Sequence, residues 1–179
     1  MDPELRAAAT EVFTQLRETR RRLVLAESCS GGLVAAALVG VPGISEWLCG
    51  SAVTYRDDTK HCWLGVSQAA LSDPAVTAVS DFVACQMASG VLQRTPEADL
   101  AVVTTGHLGP GAPAGQDGLV FLGIAHRRET QVASRAERHI LTSPEPTSPG
   151  DAEGRQRRQR EAALLALRCV VRELDAVTA

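Results

Sequence analysis

The stretch LVLAESCSGGLVAAALVGVPG, residues 23–43, decides the fold. A short apolar run ends in Glu27, Ser28, Cys29 and Ser30. Gly31 and Gly32 then lead into a second apolar run that Val-Pro-Gly stops. The first run reads as a buried strand and the second as a helix, joined by a tight turn that the glycines permit. A strand that feeds straight into a helix opens an α/β unit. At such a junction the first helical amides lack partners and carry positive partial charge. Two readings follow for the polar residues. Ser28 or Ser30 caps those amides, or the same amides form an oxyanion hole or anion seat beside Ser28 as a nucleophile. Spacing alone leaves both open.

Working outward, residues 3–22 read as a helix, with Leu5, Ala8, Ala9, Val12 and Leu16 at helical spacing and Pro3 at its start. The cluster Arg20, Arg21, Arg22 falls where cations favour the helix dipole, a nucleic-acid contact being the other use for it. Residues 51–56 read as a second strand, 57–65 as a helical turn begun by an Asp cap, and 78–94 as a helix capped by Ser80. A third strand is expected at 98–106. A Gly/Pro-rich loop follows at 107–118, then a hairpin over 119–127 and 130–141. The proline-rich segment 142–151 reads as a flexible surface loop, and 152–177 as an amphipathic closing helix. This alternation predicts one α/β domain over 1–179, a three-layer α/β/α sandwich on a mixed sheet.

The composition narrows the function. The chain has 179 residues, 45% of them hydrophobic, and a net charge of −3, so it can bury a core and gives no electrostatic reason to expect direct nucleic-acid binding. Five cysteines scattered without a C-x-x-C pair read as reduced thiols of a cytoplasmic protein. The N-terminal residues lack the apolar core of a signal peptide, and no apolar run reaches the roughly 20 residues of a membrane span. The four histidines lack ligand spacing, so no metal is expected. A nucleophilic Ser28 needs a base, and Tyr55 and Lys60 on the next strand and turn are the candidates. Cys29 is the alternative nucleophile, because a helix N-terminus lowers a thiol's pKa. Its bland alternative is core packing.

The blocks LAESCSGG, VPGISEWLCGSAVTYRDDTKHCWLGV and ADLAVVTTGHLGPG together resemble the three signature blocks of the CinA C-terminal domain family, over about residues 22–125. That family includes amidohydrolases that deamidate nicotinamide mononucleotide. The resemblance implies a serine–lysine amidase that needs no cofactor, with Ser28 matching the nucleophile, Lys60 the general base, and Tyr55 and Thr105 residues that line the site. It places Ser30, Gly31, Gly32, Gly106, His107, Gly109, Gly111 and Arg155 around the substrate. A pyridine mononucleotide is the expected small-molecule partner, and a homo-oligomer the expected assembly. The apolar stripe of the closing helix is wide enough to pack either within the chain or against a second subunit.

The chain also departs from the family pattern. Ser30 replaces a threonine, His107 and Leu108 replace Ile-Ala, and the Gly/Pro loop is short and lacks a Lys-Pro-Val lead-in. Ala152 and Gln156 stand where the family carries arginines, with Arg155, Arg157 and Arg158 beside them. Losing a cationic loop residue and a phosphate clamp weakens the hold on an anionic substrate. Two functions therefore stand side by side: an amidohydrolase, of this or altered specificity, and a non-catalytic binding or regulatory module tied to competence or DNA-damage responses.

Overall fold

The computed structural model describes residues 2–129 and 131–178. Five strands, β1 (Leu23–Glu27), β2 (Leu48–Val53), β3 (Leu100–Gly106), β4 (Leu119–Arg128) and β5 (Gln131–Ile140), form one sheet in the order β2-β1-β3-β4-β5. β1 is parallel to both β2 and β3, while β4 and β5 run antiparallel, so the sheet is mixed. The helices are α1 (Pro3–Thr19), α2 (Leu33–Val39), α3 (Asp57–Leu64), α4 (Gln68–Ser72), α5 (Asp81–Gln93) and α6 (Ala152–Thr178).

Central strands buried on both sides read as unbroken apolar runs, and alternate residues of β1 and β3 serve opposite cores. Leu23, Leu25, Leu100 and Val102 pack under α1, α2 and α6. Val24, Ala26, Ala101 and Val103 pack under α3, α4 and α5. The result is the expected α/β/α sandwich. α2 carries the chain from β1 to β2 on one face, and α3 to α5 return it to β3 on the other. The path therefore divides at the C-terminal end of β1, where open α/β sheets place their ligand crevice.

Several local expectations are corrected. The second strand occupies 48–53 rather than 51–56, which leaves Thr54 and Tyr55 beyond it. α3 is capped from Arg56, whose N–H donates to Thr59 Oγ1 at 3.2 Å, so Asp57 is the first helical residue and not the cap. The short α4, absent from the sequence reading, is capped by Ser67. Two of the arginines after α1 also meet acids. Arg21 pairs with Asp99 and Arg22 with Glu97. The apolar stripe of α6, including Ala163, Leu167, Val170 and Leu174, is buried within the chain against α1, α2 and the sheet. The proline-rich segment is anchored at both ends. Glu161 accepts from the amides of Thr142 and Ser143, and Asp151 from that of Thr147.

Two glycines set the spacing of the α5 layer. A Cβ at Gly123 would sit 2.1 Å from Ala84 O, and one at Gly90 1.8 Å from Leu64 O. Both obstacles are backbone, which cannot swing aside. Gly123→Ala is expected to cost about 3 kcal/mol or more in denaturant unfolding. Gly150→Ala, with only Ser148 Oγ 3.9 Å away, is expected to stay near neutral.

Candidate active site

The turn after β1 is built around Glu27. Its side chain is 1% exposed and accepts from the amides of Gly32, Val34 and Ala35 and from the hydroxyls of Ser30 and Ser51. The acid, not a serine, therefore caps α2, and its negative charge answers the helix dipole. Ser30 is fully buried, with its hydroxyl between Glu27 and Thr104 Oγ1 at 2.8 and 2.7 Å. The Gly31 amide donates to Ser28 O. The expectation that Ser30, Gly31 and Gly32 line the substrate site is corrected on these contacts. Ser30 and Gly32 are bound inward, and Gly31, at φ 62°, lies under Gln159, whose Nε2 donates to Ser30 O. Among the described residues, the turn amides with no oxygen acceptor are those of Cys29 and Ser30.

Ser28 faces the other way, into a cleft of about 290 Å³ at the C-terminal ends of the parallel strands. That volume lies at the low end of small-molecule sites, about 300–1,000 Å³. Ser28 and Cys29 form the floor of the cleft. Tyr55, Asp57 and Lys60 come from the β2–α3 junction, Thr105 to Ala112 from the end of β3, and Arg155 from α6. The structure thus brings Ser28, Lys60, Tyr55, Thr105, Gly106, His107, Gly109, Gly111 and Arg155 to one cavity.

Lys60 is only 2% exposed, and its amine donates to Asp57 Oδ1 at 3.3 Å and Tyr55 O at 3.5 Å. Thr105 spends its hydroxyl on Ala78 O at 2.8 Å, which fixes the opposite wall. Burial pushes the Cys29 thiol up to about 11, against the opposing contacts of Thr104 and nearby backbone amides. A thiol held that firmly protonated is a poor nucleophile, so Cys29 reads as packing. His107 meets Gln116 at 3.2 Å, and burial holds its pKa below the usual imidazole range.

α6 closes the mouth. Arg155 donates to Gly109 O at 2.6 Å and to the Tyr55 hydroxyl at 2.9 Å, bridging two walls, and has no carboxylate partner among the described residues. Arg158, 3% exposed, makes a two-pronged pair with Asp117 at 2.6 Å and so anchors the Gly/Pro loop. That pairing holds the Asp117 carboxyl below its ordinary value. Ala152 and Gln156 are both exposed. Sequence reasoning missed Glu27, Asp57, Asp117 and Gln159. A counting signal was available for the basic side of the site: Lys60 is the only lysine among 18 Lys and Arg residues, and Tyr55 the only tyrosine.

Fold and cleft together define a three-layer α/β domain with a polar cavity, floored by a serine, at the point where its chain path divides. The model of the CinA C-terminal domain matches residues 5–142, and the chain belongs to that family. A CinA-like protein of Geobacter metallireducens is 44% identical over 118 residues, 65% of this chain and 28% of that protein. One from Chlorobaculum tepidum is 36% identical over 167 residues, 92% of this chain and 37% of the relative. The chain thus spans roughly a quarter to two-fifths of the curated relatives it matches. Among solved structures, competence/damage inducible protein CihA of Agrobacterium tumefaciens superposes with a TM-score of 0.78 at 31% identity, covering 98% of both chains. A CinA superfamily protein of Klebsiella pneumoniae superposes with 0.80 at 26%, covering 96% of this chain and 98% of that one. Among the described residues, no helix is long and apolar enough to cross a membrane.

Glu27→Gln keeps the shape but turns an acceptor-only group into one with two donors and no charge. It is expected to cost about 2–3 kcal/mol in chemical denaturation. Cys29→Ala is expected to retain at least about a tenth of any amidase activity, since the thiol has no chemical role.

Proposed function

We propose that the cleft is an amidohydrolase centre that converts nicotinamide mononucleotide to nicotinate mononucleotide and ammonia. One observation carries the reading: the chain's only lysine is buried in the same small cavity as Ser28. A buried cation is costly, and chains place one where its amine is used. Family membership supports the same assignment.

In this mechanism Lys60 turns its amine from Asp57 toward Ser28, a contact that tightens with substrate in place. The amine, in its neutral form, takes the hydroxyl proton as Ser28 Oγ attacks the carboxamide carbon. The amide of Cys29, on the cleft lining and free of an oxygen acceptor, holds the developing oxyanion. The tetrahedral intermediate collapses and the C–N bond breaks. The departing nitrogen takes the proton back from Lys60 and leaves as ammonia. Water, deprotonated by the same amine, then cleaves the serine ester to give the carboxylate and restores Ser28. Tyr55, His107, Gly106, Gly109 and Gly111 shape the cleft. Arg155 supplies the positive charge for the phosphate in place of arginines at 152 and 156. Neither a metal nor a redox cofactor enters these steps.

The exposed Ala152 and Gln156 also suit a binding module that has given up turnover, and one experiment separates the two. Purified protein is expected to release ammonia from nicotinamide mononucleotide. Ser28→Ala and Lys60→Ala should each reduce kcat by about a thousandfold or more. Arg155→Ala is expected to raise KM about tenfold for the mononucleotide and to leave the phosphate-free riboside little changed. No ammonia over hours, together with a melting temperature that the mononucleotide does not move, would overturn the enzymatic reading for this substrate.

A further inference from the structure

We infer that Thr54 is a positioning residue of the cleft: its buried hydroxyl accepts an N–H of the Lys60 amine and so aims the amine's lone pair at Ser28. The inference rests on the amidohydrolase reading of the cleft and adds one residue to it. Thr54 is fully buried, yet its hydroxyl oxygen has no hydrogen-bond partner. Shutting a hydroxyl away from water without a bond costs stability, and a valine of nearly the same shape would avoid that cost. Among the described residues one other buried side-chain atom shares this condition, His139 Nε2, and it lies 3.4 Å from a Glu137 carboxylate oxygen. Thr54 has no such neighbour to explain it.

The ladder fixes where Thr54 points. Its amide donates to Glu27 O at 2.8 Å, which carries the β1–β2 pairing one step past β2 and sets Thr54 beside Ser28. On the other side, the Ser28 amide donates to Thr104 O at 3.0 Å, which sets Ser28 beside Thr105. Successive side chains of a strand face opposite sides. Ala26 and Ala52 pack in the layer of α3 to α5, whereas Val53 turns to the start of α2, 3.4 Å from where a Gly32 Cβ would lie. Thr54, Ser28 and Thr105 therefore form a row of three hydroxyls on the α3–α5 face, carried by strands about 4.8 Å apart. Thr105 spends its hydroxyl on Ala78 O. Ser28 is the nucleophile, and the hydroxyl of Thr54 is uncommitted.

Lys60 stands over this row. Its amine already reaches the carbonyl of Tyr55, the residue after Thr54, and its other acceptor is the half-exposed Asp57. When the amine leaves Asp57 for Ser28 it gives up that acceptor, at a place where Lys60 is almost closed to water. A neutral amine has two N–H groups and one lone pair, so two acceptors leave the lone pair a single direction. Tyr55 O is one acceptor and Thr54 Oγ1 is the second. The lone pair then takes the Ser28 proton. The N–H bond so formed is the one later broken toward the departing nitrogen, and Thr54 neither gains nor loses a proton. An oxygen idle at rest is thus engaged in the reaction, a local cost of the kind found at functional sites.

Thr54→Val is expected to lower kcat about thirtyfold with KM little changed, and to melt at or above the temperature of the parent. Thr54→Ser keeps the oxygen and loses a methyl group, so it should melt lower yet keep at least about half of kcat. The two variants then rank in opposite orders for rate and for stability, which a packing role cannot produce. A small fluorophosphonate, followed by intact mass, reads the reactivity of Ser28 without the mononucleotide. Thr54→Val should slow that labelling about thirtyfold, and Ser28→Ala should abolish it. If the parent is labelled but releases no ammonia, the substrate assignment fails while the labelling rates still decide the role of Thr54. A Thr54→Val variant that reacts as fast as the parent overturns the proposal, as does one that unfolds or melts below Thr54→Ser. An unreactive Ser28 in the parent overturns it together with the catalytic reading.

Discussion

A carboxylate shut away from water at the end of β1 organises the cleft. Glu27 draws three amides and two hydroxyls onto itself. An ionised group at 1% exposure is tolerable only with such a full set of donors. The charge fixes where α2 begins, and the chain that reaches it must make a sharp, left-handed turn through Gly31 and Gly32. Ser28 is then presented on the outside of that turn. The amides of α2 cannot also serve a ligand, because the acid has taken them. On the cleft side the acid leaves the amide of Cys29, earlier in the chain, without an oxygen acceptor.

The layers were legible in the sequence because each core strand is an unbroken apolar run and each long helix carries a periodic apolar face. What escaped reading was set by contacts distant in sequence. Ser30 looks like a site residue from its neighbours, yet Thr104, on a strand 74 positions away, turns its hydroxyl inward. β2 begins three residues earlier than its β-branched and aromatic residues suggest, since Leu48 and Gly50 gain ladder partners on β1. Tyr55 thereby leaves the sheet and becomes part of the cleft rim. The gathering of Ser28, Tyr55, Lys60 and Thr105 followed from the signature blocks. The part played by α6 did not, because its helical face has to be seen against the loop it grips.

That face shows how one site can be held differently from its relatives. Arg155, Arg158 and Gln159 occupy neighbouring turns of α6 and project together. They reach, in turn, the cleft mouth, the Gly/Pro loop and the Ser30 carbonyl. A single rigid rod thus ties together the three segments that enclose the cavity. Its own footing is the apolar contact with α1 and α2, so the geometry of the mouth depends on packing far from any chemistry.

Arginine supplies every cationic side chain here but one. An arginine cannot stand in for a proton acceptor, whereas an ε-amine can. The chain therefore carries a built-in spectroscopic label. Supplying isotopically enriched lysine marks a single side chain in these 179 residues, so the nitrogen signal of the cleft can be followed without assigning anything else.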